Sequence, residues 1–274
     1  TSWDSRSQRH SRWQPDPVLQ RGYIRARTKA EMDIVITDQE FNRFQKFIYD
    51  AAGIKLTSAK KPLVSSRLMK RVHARSLKSY GAYYDLIASG TDPLEVQTAV
   101  DLLTTNETYF FREPKHFEFL RRLLETRSAN AGTFRVWSAA SSSGEEAFSI
   151  AMLLDDVLGA RPWEILGSDL SVQILARAET GHYVDERAAQ LPAEYRRRYC
   201  LKGIGPHAGT LLVCKELRTR VRFRQINLTR PLPQVGVFDV IFLRNVMIYF
   251  DDETKRRVVT RLLEALAPGG HLLI

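Results

Sequence analysis

The sequence predicts an α/β protein in which a small all-α region precedes a doubly wound parallel sheet carrying a small antiparallel β insertion. Three observations lead there. Residues 134–148 pass from an apolar strand, Phe134-Arg135-Val136-Trp137, through small residues into an apolar-periodic helix. That is how an open α/β sheet builds a crevice at its strand ends. Residues 238–243 form a nearly continuous apolar run, as a strand buried on both faces requires. Residues 37–103, by contrast, carry only helical periodicity.

With 274 residues, 44% hydrophobic and 26% charged, the chain has the length and composition to bury a sizeable core. Its net charge of +10 favours acidic partners: nucleic acid, an anionic membrane surface or an acidic protein face. Cys200 and Cys214 match no metal-ligand spacing and read as free thiols of a reducing compartment. No apolar run reaches the roughly 20 residues of a membrane span, and no signal-peptide pattern opens the chain. A cytoplasmic location without direct membrane insertion is expected.

In chain order, residues 1–33 hold Arg6, Arg9, Arg12, Arg21, Arg25 and Arg27 among Ser, Gln and Pro and predict a flexible basic tail. The chain does not begin with Met, and Met32 is a candidate natural start. The helical region is expected over 34–98. Thr37, with Glu40 three residues on, predicts a capping box. Phe41, Phe44, Phe47 and Ile48 form the apolar stripe of that helix, and Gly53 marks its end. A second helix from near Ala59 buries Leu63, Leu68, Met69 and Val72. Arg67, Arg71, Arg75 and Lys78 recur every three or four residues, with Lys70 beside them, so like charges share a face at a cost in stability. That row is either a solvated polar face or a docking surface for an acidic partner helix. Tyr80, Tyr83, Tyr84, Leu86 and Ile87 mark a third helix, and Val96, Val100, Leu102 and Leu103 a fourth.

Residues 99–113 read as a linker that packs on its surroundings, and the α/β region is expected over 114–274. Ile165-Leu166-Gly167-Ser168-Asp169 is its second strand. The acid at that strand end serves either a ribose hydroxyl pair or the cap of the next helix. Residues 187–222 break the α/β rhythm, with β-rich stretches at 210–214 and 219–223, and are expected to form the antiparallel insertion. Its exposed edges suit capture of an extended peptide. The main sheet resumes at 221–226, ending in Asn227-Leu228. Asp251 caps a helix over about 253–266, and Pro268-Gly269-Gly270 turns into a last strand, 271–274. A sheet that stops on a strand predicts further chain beyond it.

The turn after the first strand carries chemistry. Small side chains let a ligand approach the backbone, and the helix start supplies free N–H groups. Glu145 and Glu146 in its first turn are a poor setting for a phosphate. They suit a ligand with donors or positive charge, so S-adenosylmethionine, with its ammonium and sulfonium, fits better than a nicotinamide dinucleotide.

Five features stand in order: the helical region; Thr105-Asn106-Glu107-Thr108-Tyr109-Phe110-Phe111-Arg112; Trp137-Ser138-Ala139 leading to Gly144-Glu145-Glu146; Ser168-Asp169; and Arg244-Asn245-Val246-Met247-Ile248-Tyr249-Phe250. Together they resemble the CheR family, the chemotaxis receptor glutamate O-methyltransferases. The family's turn often carries Gly and Cys where this chain has Ala140 and Ser141. The resemblance implies a Rossmann-like class I S-adenosylmethionine-dependent methyltransferase domain, with S-adenosylhomocysteine as product and no metal. It implies cofactor contacts from Asn106, Thr108, Arg112, Glu146, Asp169, Asn227, Leu228, Arg244 and Asn245, with Glu145 the alternative to Glu146. It points to Arg112 and Tyr249 as the catalytic pair, and to the cytoplasmic helical bundle of chemoreceptors as partner, docked on Arg67, Lys70, Arg71 and Arg75. The insertion resembles the part that in some members holds a peptide at the receptor's C-terminal end.

The implied reaction moves a methyl group onto glutamate carboxylates, giving methyl esters for chemotaxis adaptation. A glutamate with a pKa of about 4.3 is already ionised at neutral pH, so no general base is needed. The rival readings are a nucleic-acid methyltransferase and a non-catalytic S-adenosylmethionine-binding sensor. A base methylase would more usually place Pro-Pro and an aromatic after the acid or amide at the fourth strand end, where Val246-Met247 follow Asn245. No nucleic-acid partner is expected.

Overall fold

The computed structural model describes residues 34–128 and 132–274; the basic tail expected over 1–33 lies outside them. Four helices come first: α1 (Asp38–Ala52), α2 (Lys61–Ala74), α3 (Tyr80–Ala88) and α4 (Pro93–Leu103). The capping box on α1 is formed. Thr37 Oγ1 accepts the Glu40 N–H at 3.1 Å, and the Glu40 carboxylate accepts the Thr37 N–H at 2.9 Å. Gly53 ends α1 at φ 69°, a left-handed conformation, and a Cβ there would come within 2.9 Å of the Thr229 and Thr254 methyl groups. The glycine therefore both stops the helix and lets it close on the α/β region. Phe41, Phe44, Ile48, Leu68, Val72, Tyr80 and Tyr83 are buried between these helices.

The arginine row on α2 has a role that neither expectation included. Arg71 and Arg75 converge on Glu95 of α4, which is 1% exposed. Arg71 donates to it at 2.8 and 2.5 Å, Arg75 Nε at 2.7 Å and the Tyr83 hydroxyl at 2.8 Å. Arg75 also pairs with Asp92. Arg67 turns inward and donates to the carbonyls of Leu102 and Thr104 at 3.2 and 2.7 Å. Like charges tolerate one another along the helix because an acid from the neighbouring helix neutralises them. Lys70 remains exposed.

The chain continues through α5 (Pro114–Glu125), β1 (Phe134–Ser138), α6 (Glu145–Leu158), β2 (Trp163–Asp169) and α7 (Val172–Thr180). Next come β3 (His182–Val184), α8 (Ala193–Tyr199), β4 (Cys200–Lys202), β5 (Thr210–Val213) and α9 (Lys215–Arg218). The last elements are β6 (Val221–Gln225), β7 (Phe238–Phe242), α10 (Asp252–Glu264) and β8 (Leu266–Leu273). The main sheet has the order β6-β2-β1-β7-β8, parallel throughout. Chain order reverses between β1 and β7, the point where such a sheet opens a crevice. Phe117, Leu120, Phe148, Leu153, Val240 and Phe242 fill one face, while Trp137, Ile241, Leu243, Val258 and Leu262 fill the other. Among the described residues no helix is long and apolar enough to cross a membrane.

Two expectations about strands need correction. The insertion's sheet has the order β3-β5-β4 and runs from His182 to Val213, not from 187 to 222. The stretch at 219–223 is not part of it but leads into β6, where the main sheet was expected to resume, paired in parallel with β2 from Ile165↔Val221 onward. As a sheet edge, β6 keeps Arg222 and Arg224 exposed, a charged alternation that reads in sequence like a solvated hairpin. Strand β3 is only three residues long, too short to register as a period. At the other end, Pro268-Gly269-Gly270 lies within β8. Between Phe238↔Leu266 and Val240↔His271 that strand carries extra residues, a bulge that accommodates a sequence otherwise read as a turn.

Candidate active site

A cavity of about 370 Å³ opens at the β1/β7 switch point, between the sheet and the linker. The linker lines it with Asn106, Thr108 and Arg112, the start of α6 with Glu146, and the end of β2 with Asp169. Asn227 and Leu228 follow β6 into it, Arg244 and Asn245 follow β7, and the 3-10 turn Met247–Tyr249 adds Tyr249. The structure thus brings together every residue expected to bind cofactor or act in catalysis. Arg67, Lys70, Arg71 and Arg75 do not line the cavity.

Backbone geometry around it is unusual. Phe111, Glu113, Ser142 and Asn245 have φ of 54°, 58°, 49° and 57°, a sparsely populated region that clusters at functional sites. Gly144 has φ 94°, and a Cβ on it would sit 2.9 Å from Ala178 Cβ and 3.0 Å from the Tyr183 hydroxyl. The turn's single glycine is thus required by its conformation and by packing on α7 and β3.

Arg244 is the electrostatic centre, 5% exposed. It donates to Glu146 Oε2 at 2.9 Å and to the carbonyl of Arg112, and meets Glu113 Oε2 at 3.1 Å. Glu113 also accepts from the Asn245 amide at 2.9 Å. Glu146 takes a second hydrogen bond from Ser138 Oγ at 2.6 Å. Burial raises the Glu146 carboxyl above its usual range, against the pull of Arg244 and Ser138. Glu145 turns away from the cavity, to Ser143 Oγ at 2.6 Å and Arg187 at 3.0 Å. Of the two candidates, Glu146 is the one that lines the cavity.

Asp169 accepts the backbone N–H of Ser142 at 2.9 Å and of Ser171 at 3.0 Å, so it braces the turn as well as lining the cavity. Burial raises its pKa, and those amides oppose the rise. A carboxylate offers about four lone-pair sites, so it retains capacity for a ligand's hydroxyls. The Asn227 side chain is committed elsewhere, donating to the carbonyl of Ala51 at 2.7 Å and accepting from Thr229 N–H at 3.0 Å. Arg112 donates to the Glu107 carbonyl at 2.9 Å and lies 5.6 Å from the Tyr109 ring centroid. Among the described residues it has no carboxylate within salt-bridge distance. The main chain of Tyr249 is fixed by the Lys55 N–H, which donates to its carbonyl at 2.9 Å.

Ser138, Glu113 and Arg187, which contact Glu146, Arg244 and Glu145 respectively, were not expected as site residues. Glu113 and Arg187 meet Asn245 and Glu145 across 132 and 42 positions, which no spacing marks, whereas Ser138 stands only eight residues before Glu146. Among the described residues no cluster of three or more His, Cys, Asp or Glu could hold a metal ion.

Comparison with known proteins bears directly on this cavity. Residues 106–274 match the CheR methyltransferase, SAM binding domain, and residues 39–104 match the CheR methyltransferase, all-alpha domain. The chain is 40% identical over 242 residues to a chemotaxis protein methyltransferase of Escherichia coli K12, covering 87% of this chain and 84% of that one. It is 41% identical over 237 residues to chemotaxis protein methyltransferase 2 of Pseudomonas aeruginosa, covering 85% and 84%. To a chemotaxis protein methyltransferase of Borreliella burgdorferi it is 33% identical over 258 residues, covering 90% of each. With both of its regions matched in order and its relatives aligned over most of their length, the chain belongs to the CheR methyltransferase family.

Proposed function

We propose that this chain, acting in the cytoplasm, transfers a methyl group from S-adenosylmethionine to glutamate side chains of chemoreceptors. S-adenosylmethionine-dependent methylation for chemotaxis follows from the family and its relatives; the glutamate target is our reading. The single observation that carries it is one cavity holding Arg112 and Tyr249 beside the acids and amides of the switch point.

The residues present fit the cofactor. Arg244 Nε is buried without a hydrogen-bond partner, an unmet donor that a ligand carboxylate would satisfy. Glu146 would serve the ammonium end, with Asn106 and Thr108 beside it. Asp169 would take the ribose hydroxyls, with Asn227 and Leu228 at the adenine side. The volume lies within the range of roughly 300–1,000 Å³ usual for small-molecule sites. When bound, the cofactor supplies an electrophilic methyl group on a sulfonium.

The chain's own residues supply position. A substrate glutamate arrives ionised, so the site needs no base. Arg112 grips one carboxylate by charge-assisted hydrogen bonds. The Tyr249 hydroxyl donates to the same group and fixes its direction. Val246, Ile248 and Phe117 line the cavity and strip water from the nucleophile. Atoms balance simply: a carboxylate oxygen gains the methyl group, and S-adenosylhomocysteine leaves neutral at sulfur.

The receptor's helical bundle would meet α2, with Lys70 as its exposed cation and Arg67, Arg71 and Arg75 shared with the helical region's own acids and carbonyls. A receptor's C-terminal peptide would add to an edge of the small sheet. The nucleic-acid and sensor readings are not favoured by relatives named chemotaxis protein methyltransferases. The test is transfer of radiolabelled methyl from S-adenosylmethionine to chemoreceptor-rich membranes. Base-labile label on receptor is expected, reduced at least about 100-fold in Arg112→Ala, the scale seen when a transition-state donor is removed. Alkali-stable label on added RNA or DNA instead would overturn the reading.

A further inference from the structure

Arg187 lies in the 3-10 turn Asp185–Ala188 that follows β3, outside the five features that carry the family resemblance. Its guanidinium reaches the back of the β1–α6 turn. Nη1 donates to Glu145 Oε1 at 3.0 Å, to Ser143 Oγ at 3.3 Å and to the Thr108 carbonyl at 3.4 Å. Ser143 Oγ in turn donates to Glu145 Oε2 at 2.6 Å. The Glu145 side chain is wholly buried, while Arg187 is 42% exposed. Burial pushes the Glu145 carboxyl up, and Ser143 and Arg187 pull it down. A second anchor lies alongside. The Tyr183 hydroxyl donates to the Ser143 carbonyl at 2.8 Å, and its ring meets Phe110 of the linker edge-on at 5.0 Å. From outside, the small sheet therefore touches both walls of the cavity, the linker and the turn.

We infer that Arg187 is a positioning residue of the cofactor site, fastening the linker at Thr108 to the turn at Ser143 and Glu145. The inference rests on the cofactor reading above. A buried carboxylate stays ionised only beside a counter-charge. Without Arg187, Glu145 takes up a proton or turns toward solvent, and either change moves Ser143. Its neighbour Ser142 gives the N–H that Asp169 holds at 2.9 Å, so the displacement reaches the ribose ligand. The same loss frees the Thr108 carbonyl, and with it the wall that carries Arg112.

Calorimetric titration of the full chain with S-adenosylhomocysteine tests this with no turnover involved. Arg187→Met is expected to raise Kd about tenfold, equivalent to roughly 1.4 kcal/mol. Arg187→Lys, which keeps the charge, should lose less. Glu145→Gln placed on top of Arg187→Met should recover most of the affinity, because an amide needs no cation; such non-additivity measures the pair directly. In methyl transfer, KM for S-adenosylmethionine should rise by a larger factor than kcat falls. An unchanged Kd in Arg187→Met, or a double variant no tighter than the single one, overturns the inference. If Arg187→Met does not fold, Arg187→Gln replaces it, alone and beneath Glu145→Gln, and is judged by the same criteria. An unmodified chain that binds no S-adenosylhomocysteine overturns the cofactor reading itself, before any variant is compared.

Discussion

Glu95 in the helical region and Glu146 in the cavity are both carboxylates beside arginines, yet their protonation is driven in opposite directions. Glu95 receives Arg71, Arg75 and the Tyr83 hydroxyl, and these hold its pKa at about 2. Glu146 receives one arginine and one serine, its burial outweighs them, and its pKa rises. Arg244, the arginine it shares with Glu113, has a buried donor to spare. The first network is closed and holds helices together. The second is left short of partners, and that shortfall is what a ligand completes.

The closed network opens most readily at Glu95, the acid its donors share. Glu95→Gln should cost about 2 kcal/mol at pH 7 in urea unfolding, since the buried acceptor shared by Arg71, Arg75 and Tyr83 loses its charge, while the affinity for S-adenosylhomocysteine changes less than about twofold. The sign with pH follows from its depressed pKa. The contribution is complete above the unfolded value of 4.5 and is lost as pH falls through about 2. The unmodified chain should therefore lose more stability than Glu95→Gln between those limits. Glu146→Gln sharpens the contrast: a stability change under about 1 kcal/mol, because ionisation there is already disfavoured by burial. Its affinity for S-adenosylhomocysteine should nonetheless fall about tenfold. Equal destabilisation by the two substitutions would erase the distinction. The smallest effect belongs to Arg75→Met. It should lower the urea midpoint by less than Glu95→Gln does, because Arg71 and Tyr83 still hold the acid and Arg75 is partly exposed.

Local signals made much of this legible in advance. The Thr37–Glu40 box, Gly53, the apolar run at 238–243 and the motifs that converge on the cavity are each written within a few adjacent residues. What stayed hidden is non-local. The basic row on α2 is indistinguishable from a solvated face until α4 brings Glu95 to it across 20 and 24 positions. The main sheet is expected to resume at 221–226, where β6 lies, yet the expected insertion runs on to 222 because that edge strand exposes Arg222 and Arg224. Arg187 acts on Glu145 from 42 residues away, and no periodicity encodes that distance.

The end of α1 is sewn to the sheet. Asn227 holds the Ala51 carbonyl, Arg230 holds that of Asp50, Tyr49 reaches Asp251, and Lys55 holds the main chain of Tyr249. Fraying at this helix end, harmless in most proteins, would here loosen the main chain of Tyr249. Helical region and catalytic sheet should thus melt in one cooperative step, as a single unit of local stability. Mass action carries the consequence further: a small molecule held at the strand ends raises the melting point of helices it never touches.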